Sequence, residues 1–297
     1  MSALRITSHS SLTAQQKSLI LDLLLAAANE DGAYPLSEDV ALNIQHDSSA
    51  EHVIAYIDDL VAGYAFIDGD TAAPKVELAV SPEQRRHGVG RALLDFICAS
   101  HSNVQLWAHG NNASAKSLAV NAGFEESRTL IQMRRSLLNS IDEAQFPESI
   151  IVRTFEVDKD FYEWLRCNAE SFSDHPEQGN WSEREFRLRL SEPWFNPQGF
   201  LVAYQGADMV GFHWTKVHSE ELHSERLGEV YIVGVVPACR GIGLGRALAL
   251  AGLKILRGQG LTSAMLYVDA ADKTAVGLYE SLGFAHWDND TLFIKRS

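Results

Sequence analysis

The sequence predicts two mixed α/β domains in tandem, and three observations predict it. The chain has 297 residues, about twice the usual length of a single domain. Residues 76–94, VELAVSPEQRRHGVGRALL, align without a gap on residues 231–249, YIVGVVPACRGIGLGRALA, at an offset of 155. A second match follows in the same order, Gly123-Phe124 falling on Gly283-Phe284 at an offset of 160. Ordered matches at nearly one offset indicate duplication of a whole domain, and so long a period means tandem domains rather than a solenoid.

Each element follows from its local pattern. In the first half, apolar residues at helical spacing give a helix over 14–28. Runs at 53–57 and 61–67 flank Asp58-Asp59 and give a hairpin. Residues 76–80 form a strand, 90–100 a helix, 104–108 a strand and 113–122 a helix. The second half gives helices over 161–172 and 182–190, then strands at 200–204 and 209–215 around Gly206. A strand at 230–236, a helix over 245–257, a strand at 264–268 and a helix over 275–282 complete it. A hairpin-built sheet of this kind is mixed α/β rather than a strict βαβα alternation. The polar, proline-bearing stretch 138–149 separates the repeats, so a linker is expected near 139–148 between domains 1–140 and 149–297.

Composition narrows the function. The chain is 46% hydrophobic, enough for real cores and too much for disorder. Its net charge is −14, split as −8 over residues 1–145 and −6 beyond, so neither half is basic. A neutral or cationic small molecule suits that field better than a nucleic acid. No apolar run reaches the roughly 18 residues a membrane span needs, and residues 1–16 lack a signal peptide's basic start and apolar core. Cys98, Cys167 and Cys239 lie far apart with no CxxC, which fits a reducing cytoplasm. His213, His218 and His223 are spaced five apart, which matches no metal motif. The expectation is a cytoplasmic monomer acting on a small-molecule amine, without metal, membrane or nucleic acid.

In both halves an apolar strand runs into a proline, and Arg-x-x-Gly-x-Gly then opens a helix. Glycines adopt positive φ and let the backbone approach a ligand. Amide groups at a helix N-terminus then face outward, where the dipole favours an anion. The following arginines can add charge-assisted contacts to phosphate. The candidate pyrophosphate cradles are Arg85, Arg86, His87, Gly88, Val89, Gly90 and Arg91 in the first half, and Arg240, Gly241, Ile242, Gly243, Leu244, Gly245 and Arg246 in the second. A phosphate-binding P-loop would need Gly-Lys-Ser/Thr where Gly245-Arg246-Ala247 stands, and a dinucleotide fingerprint would need glycine at Arg246. By the same N-terminus logic Asp272, Lys273, Thr274, Ala275, Val276 and Gly277, which open the last helix, are candidates for the same ligand.

On these loops the sequence resembles the GNAT acetyltransferase superfamily over both halves. The resemblance implies two tandem GNAT domains, acetyl-CoA as co-substrate, and cofactor contacts from the strand before each loop: Leu78, Ala79 and Val80, and Val233, Gly234 and Val235. The stretches GFHWTKVH (211–218) and LGEVYIVGV (227–235), with Tyr279-x-x-x-Gly283-Phe284, are similar to tandem members that acetylate the cysteinyl amine of a cysteine–glucosamine–inositol conjugate. The resemblance implies direct attack, with the Val235 amide polarising the carbonyl, Tyr279 as general acid and Glu229 as general base. Regular alternation would put residues 229, 231, 233 and 235 on one face; the family's usual strand bulge would break that count. On spacing alone Glu229 also reads as an edge carboxylate and Tyr279 as a core aromatic. Glu38, Glu177, Lys216 and Tyr267 are the implied substrate contacts. The first half departs from the pattern, with Ala119 for Tyr279 and Pro74 for Glu229. It is therefore expected to fold, and to hold acetyl-CoA, without catalysing. Glu77, three residues from Val80, should face away from it. Other amines (a protein N-terminus, a polyamine, an aminoglycoside) and a non-catalytic acetyl-CoA sensor are the alternatives.

Overall fold

The computed structural model describes residues 3–46, 50–68, 72–173, 175, 178–218 and 226–296. The chain divides into two compact units. Unit 1 comprises Met1–Ile131, Asp269–Ala271 and Asp288–Ser297; unit 2 comprises Gln132–Val268 and Asp272–Trp287.

Unit 1 begins with β1 (Leu4–His9), α1 (Ala14–Asp31) and α2 (Glu38–Gln45), followed by the hairpin β2 (Glu51–Ile57) and β3 (Leu60–Ile67). β4 (Lys75–Val80), α3 (Val89–Ser100), β5 (Gln105–Ala108) and α4 (Ala113–Asn121) follow, and then β6 (Glu125–Ser136). The hairpin turns on Asp58 and Asp59, both at positive φ (48° and 65°), as a two-residue turn between right-twisted strands requires. α1 starts on a reciprocal Thr13–Gln16 capping box. Strands β1 to β4 are antiparallel, and β4 runs parallel to β5.

Unit 2 contains β7 (Ile150–Thr154), α5 (Val157–Ser171), α6 (Glu183–Ser191), β8 (Phe200–Gln205), β9 (Asp208–His218) and β10 (Leu227–Val235). α7 (Leu244–Gly258), β11 (Ser263–Asp269), α8 (Lys273–Ser281) and β12 (Ala285–Ile294) complete the chain. β7 to β10 are antiparallel and β10 meets β11 in parallel. The unit 2 core is largely aromatic: Trp164, Phe186, Phe200, Phe212 and Trp214 are all fully buried.

The order of elements follows the sequence expectation twice over, but the closing strands do not. β12, from the end of the chain, pairs antiparallel with β5 and closes the sheet of unit 1, with Thr291 opposite Ala108 and Phe293 opposite Leu106. Phe293 is buried in unit 1's core beside Val76, Ile97 and Leu106. Gln132–Ser136 of β6 belong to unit 2, where β6 neighbours β11 and Arg135 reaches the backbone oxygens of Leu282 and Ser140. Each unit thus takes its last strand from the other half of the sequence. Residues 139–148 carry no helix or strand and fall within unit 2, while the division between units cuts β6 itself.

Candidate active site

The strand–loop–helix motif is built the same way in both units. After β10, a turn at Pro237–Cys239 leads to Gly241 (φ 80°) and Gly243 (φ 87°), and Gly243 is the N-cap of α7 with no side chain capping the helix. The first amides of α7 lack intrahelical partners and are left for an anion. In unit 1, Gly88 (φ 85°) caps α3 in the same way, but Arg86 occupies the left-handed position (φ 65°) that Gly241 fills in unit 2. α8 differs: the Asp272 side chain takes the Ala275 amide at 2.9 Å, so this helix is capped by its own carboxylate.

The arginines act as fasteners. Arg240 donates from Nε to the Val235 carbonyl (3.2 Å) and from Nη2 to the Ser171 carbonyl (2.7 Å). Arg85 mirrors it, reaching the Val80 carbonyl (3.3 Å) and, through both Nη atoms, the Asp31 carboxylate (2.7 Å each). Arg246 holds the Ser281 hydroxyl and Asp142, and Arg91 holds Asp95 and the Asn121 carbonyl. In both loops, therefore, the backbone is the part of the motif left for an anion.

The strand before the loop opens an edge. The parallel ladder between β10 and β11 consists of Gly228–Ala264 and Glu229–Met265, although β10 continues to Val235. The Val236 amide donates to the Val210 carbonyl of β9 at 3.0 Å. Successive residues of a strand point their amides to opposite edges, so the Val235 amide projects from the edge of β10 away from β9. In unit 1 the Ser81 amide bonds the Ala62 carbonyl, which leaves the Val80 amide on the corresponding edge.

A β-bulge decides which way Glu229 faces. Opposite β9, Glu229 pairs with Lys216, Val230 with Thr215, and then Ile232 with Trp214, so Tyr231 is the extra residue. Directly opposed residues share a face. Glu229 therefore lies with Lys216, Trp214 and Ile232, while Val233 and Val235 take the other face with His213. The simple count by two, which would unite 229, 233 and 235, fails because the bulge inserts one residue and reverses the phase.

Around Glu229 the chemistry is dense. Its side chain is almost buried, and Oε2 lies 2.7 Å from Nε2 of His218. The Lys216 ammonium sits 4.7 Å from the Trp194 ring centre and 5.3 Å from that of Tyr231. The Tyr231 hydroxyl accepts from buried Arg189 at 2.8 Å, whose guanidinium lies 3.9 Å over Trp181. Tyr267, two residues beyond Met265, shares the face of Glu229 and is exposed; its hydroxyl accepts from Gln132 at 2.7 Å. Glu229, Lys216 and Tyr267 thus lie on one face of the sheet, and His218 lies there with them. Glu38 is the first residue of α2 in unit 1, after the Ser37 N-cap. Glu177 and His223 lie outside the described residues.

Tyr279 lies on α8, half-buried, with its ring edge-on to Phe284 at 5.8 Å. Burial, with a contribution from Asp272, pushes the phenol up to about 12, so it stays protonated at neutral pH. Its counterpart Ala119 is fully buried. In unit 1, β4 has no bulge, and Glu77 pairs with Phe66, away from Val80 as expected. Its carboxylate is committed to the Ser37 amide (2.6 Å), the Ser37 hydroxyl (2.8 Å) and His109 (3.1 Å). His109 also meets Asp290 at 2.8 Å. Burial opposes charge on His109, but Glu77 and Asp290 outweigh it and raise the imidazole to about 10.

His213 belongs to the core. Its Nδ1 donates to the Leu248 carbonyl of α7 at 2.8 Å, and burial lowers it to about 4. Among the described residues no group of three or more His, Cys, Asp or Glu side chains is placed to hold a metal ion, and no helix is long and apolar enough to cross a membrane.

Comparison with known proteins meets this geometry in both units. The profile of the Acetyltransferase (GNAT) family matches residues 159–284, and that of an Acetyltransferase (GNAT) domain matches residues 48–126. The mycothiol acetyltransferase of Acidothermus cellulolyticus is 40% identical over 309 aligned residues, covering 98% of this chain and 94% of the relative. That of Thermobispora bispora is 44% identical, covering 92% and 94%. Among solved structures, a tandem GNAT protein from the clavulanic acid biosynthesis pathway superposes with a TM-score of 0.75 at 17% identity, covering 99% of this chain and 98% of that one. A GCN5-related N-acetyltransferase from Sphaerobacter thermophilus gives 0.70 at 20% identity, covering 98% and 95%. At these identities the structures speak for the fold alone.

Proposed function

Since the chain belongs to the mycothiol acetyltransferase family of tandem GNAT proteins, we propose that it acetylates the cysteinyl amine of the cysteine–glucosamine–inositol conjugate, desacetylmycothiol, to give mycothiol. It is an acetyl-CoA-dependent N-acetyltransferase. The observation that carries the substrate is the identity of 40–44% to relatives of that name along nearly the whole chain.

The reaction is a direct transfer within unit 2. The substrate's α-amino group, with an ordinary pKa of about 7.7–8.0, gives its proton to Glu229. The freed amine attacks the thioester carbonyl of acetyl-CoA, whose oxygen is met by the Val235 amide as negative charge develops there. The C–S bond breaks, the CoA sulfur takes a proton from Tyr279, whose raised pKa keeps it in the donor form, and the second proton shed by the nitrogen as the amide forms restores the phenol by way of solvent. The α7 amides with Gly241 and Gly243 hold the diphosphate, and the edge of Val233–Val235 takes the pantetheine arm. Lys216 and Tyr267 contact the hydroxyl-rich part of the acceptor. Unit 1 keeps the anion loop but has Ala119 in place of Tyr279 and Pro74 in place of Glu229, and its Glu77 is committed to Ser37; it binds acetyl-CoA without turning it over.

Product analysis tests the substrate. The full chain is offered acetyl-CoA with the cysteine–glucosamine–inositol amine, a polyamine, an aminoglycoside or a peptide N-terminus, and products are read by mass spectrometry. The expected result is a single acetyl group on the cysteinyl nitrogen of the first. Preferential acetylation of any other amine refutes the assignment.

A further inference from the structure

We propose that His218 is a positioning residue for the acetyl transfer, holding the Glu229 carboxylate in place and in its ionised, proton-accepting form. This rests on the reading of Glu229 as the base.

The pair is close and sheltered. Nε2 of His218 lies 2.7 Å from Oε2 of Glu229, with side-chain exposures of 15% and 9%. The ladder explains the encounter. Lys216 is opposite Glu229, and His218, two residues further along β9, is its diagonal neighbour on the same face. An ionised carboxylate only accepts hydrogen bonds, so the imidazole must present its proton at Nε2. A sheltered carboxylate without a donor drifts toward its neutral form, and a donor at this distance opposes that drift. Titratable groups that the register sets beside the pair are Lys216 of β9, Tyr231 of β10 and Tyr267 of β11. Arg189 of α6 faces it through the Tyr231 hydroxyl.

The proton balance is simple. The ammonium N–H bond breaks, an O–H bond forms on Glu229, and the amine lone pair is freed to form the C–N bond. His218 keeps its own proton throughout. After product leaves, the neutral carboxylic acid returns its proton to water.

The test is the pH profile of kcat at saturating acetyl-CoA for the parent chain and the variants His218→Ala, His218→Gln and Glu229→Gln. His218→Ala is expected to lose roughly ten-fold or more in kcat, with the acidic limb moved to higher pH and the KM for acetyl-CoA unchanged. His218→Gln supplies an amide N–H to the same oxygen and is expected to restore both kcat and the limb. If His218→Ala does not fold, His218→Gln decides alone: a parent-like profile supports the proposal, and slow turnover with the limb unmoved overturns it. A folded His218→Ala with parent kcat and limb also overturns it, as do two equally slow variants whose limb has not moved. Glu229→Gln separates the two readings. Parent-like turnover there removes the base, and His218 with it; slow turnover there beside a parent-like His218→Ala removes His218 alone.

Discussion

The tasks proposed for Glu229 and Tyr279 follow from their surroundings. Glu229 is nearly buried with His218 2.7 Å from its carboxylate, whereas burial, with Asp272 nearby, keeps Tyr279 a phenol. Tyr279→Phe is expected to lower kcat about 100-fold while acetyl-CoA binding, followed by calorimetry, stays as in the parent; unchanged turnover would remove the acid role. Glu229→Gln is expected to cost most below about pH 8, where the amine is still an ammonium, and progressively less above it. A small loss that does not vary with pH would remove the base role. A resemblance pointed to Glu229, Lys216 and Tyr267, and the ladder puts the three on one face. The phase of β10 was not, since one bulged residue reverses every side chain after it. His218 was hidden by its even spacing from two other histidines. The usable signal was the hairpin pairing of Lys216 with Glu229, which places residue 218 diagonally across from 229.

At the scale of elements, the glycine loops were the most legible part of the chain, because their requirement is local. A residue at φ near +87° is strained unless it is glycine. Gly243→Ala is expected to raise the KM for acetyl-CoA several-fold, at a backbone cost of about 1–2 kcal/mol, with a smaller effect on kcat; an unchanged KM would detach the loop from the cofactor. The closing strands were illegible for the opposite reason. Period-2 alternation reports which face of a strand is buried and says nothing of the neighbour it pairs with. The Glu77–His109–Asp290 chain belongs to this scale, since it ties β12 into unit 1. His109 is raised from 6.5 to about 10 in the fold, so its stabilisation is complete below the unfolded value and is lost as pH climbs through the folded one. His109→Leu, which strands two sheltered carboxylates, is expected to cost about 3–5 kcal/mol. It should also abolish the fall in melting temperature between neutral pH and pH 10. A parent-like melting curve at both pH values would show that the chain of charges contributes nothing.

For the whole molecule, the internal repeat correctly announced two modules, and the profile matches at 48–126 and 159–284 fall one in each half. What the repeat concealed is that the modules are not severable at its boundary. Residues 1–140 alone lack Asp288–Ser297, the stretch that closes the sheet of unit 1. Expressed by themselves they are expected to show no cooperative thermal transition by circular dichroism, and a sharp transition would contradict the strand exchange. The net charge of −14 fits a cationic amine as acceptor and a cofactor whose diphosphate is held by backbone amides rather than by a basic surface. The most direct test of the account is steady-state release of CoA thiol from acetyl-CoA by the full chain, with and without the cysteine–glucosamine–inositol amine. Release that depends on the amine, matched one for one by acetylated product, is the predicted result. Bound acetyl-CoA with no release when that amine is present would contradict it.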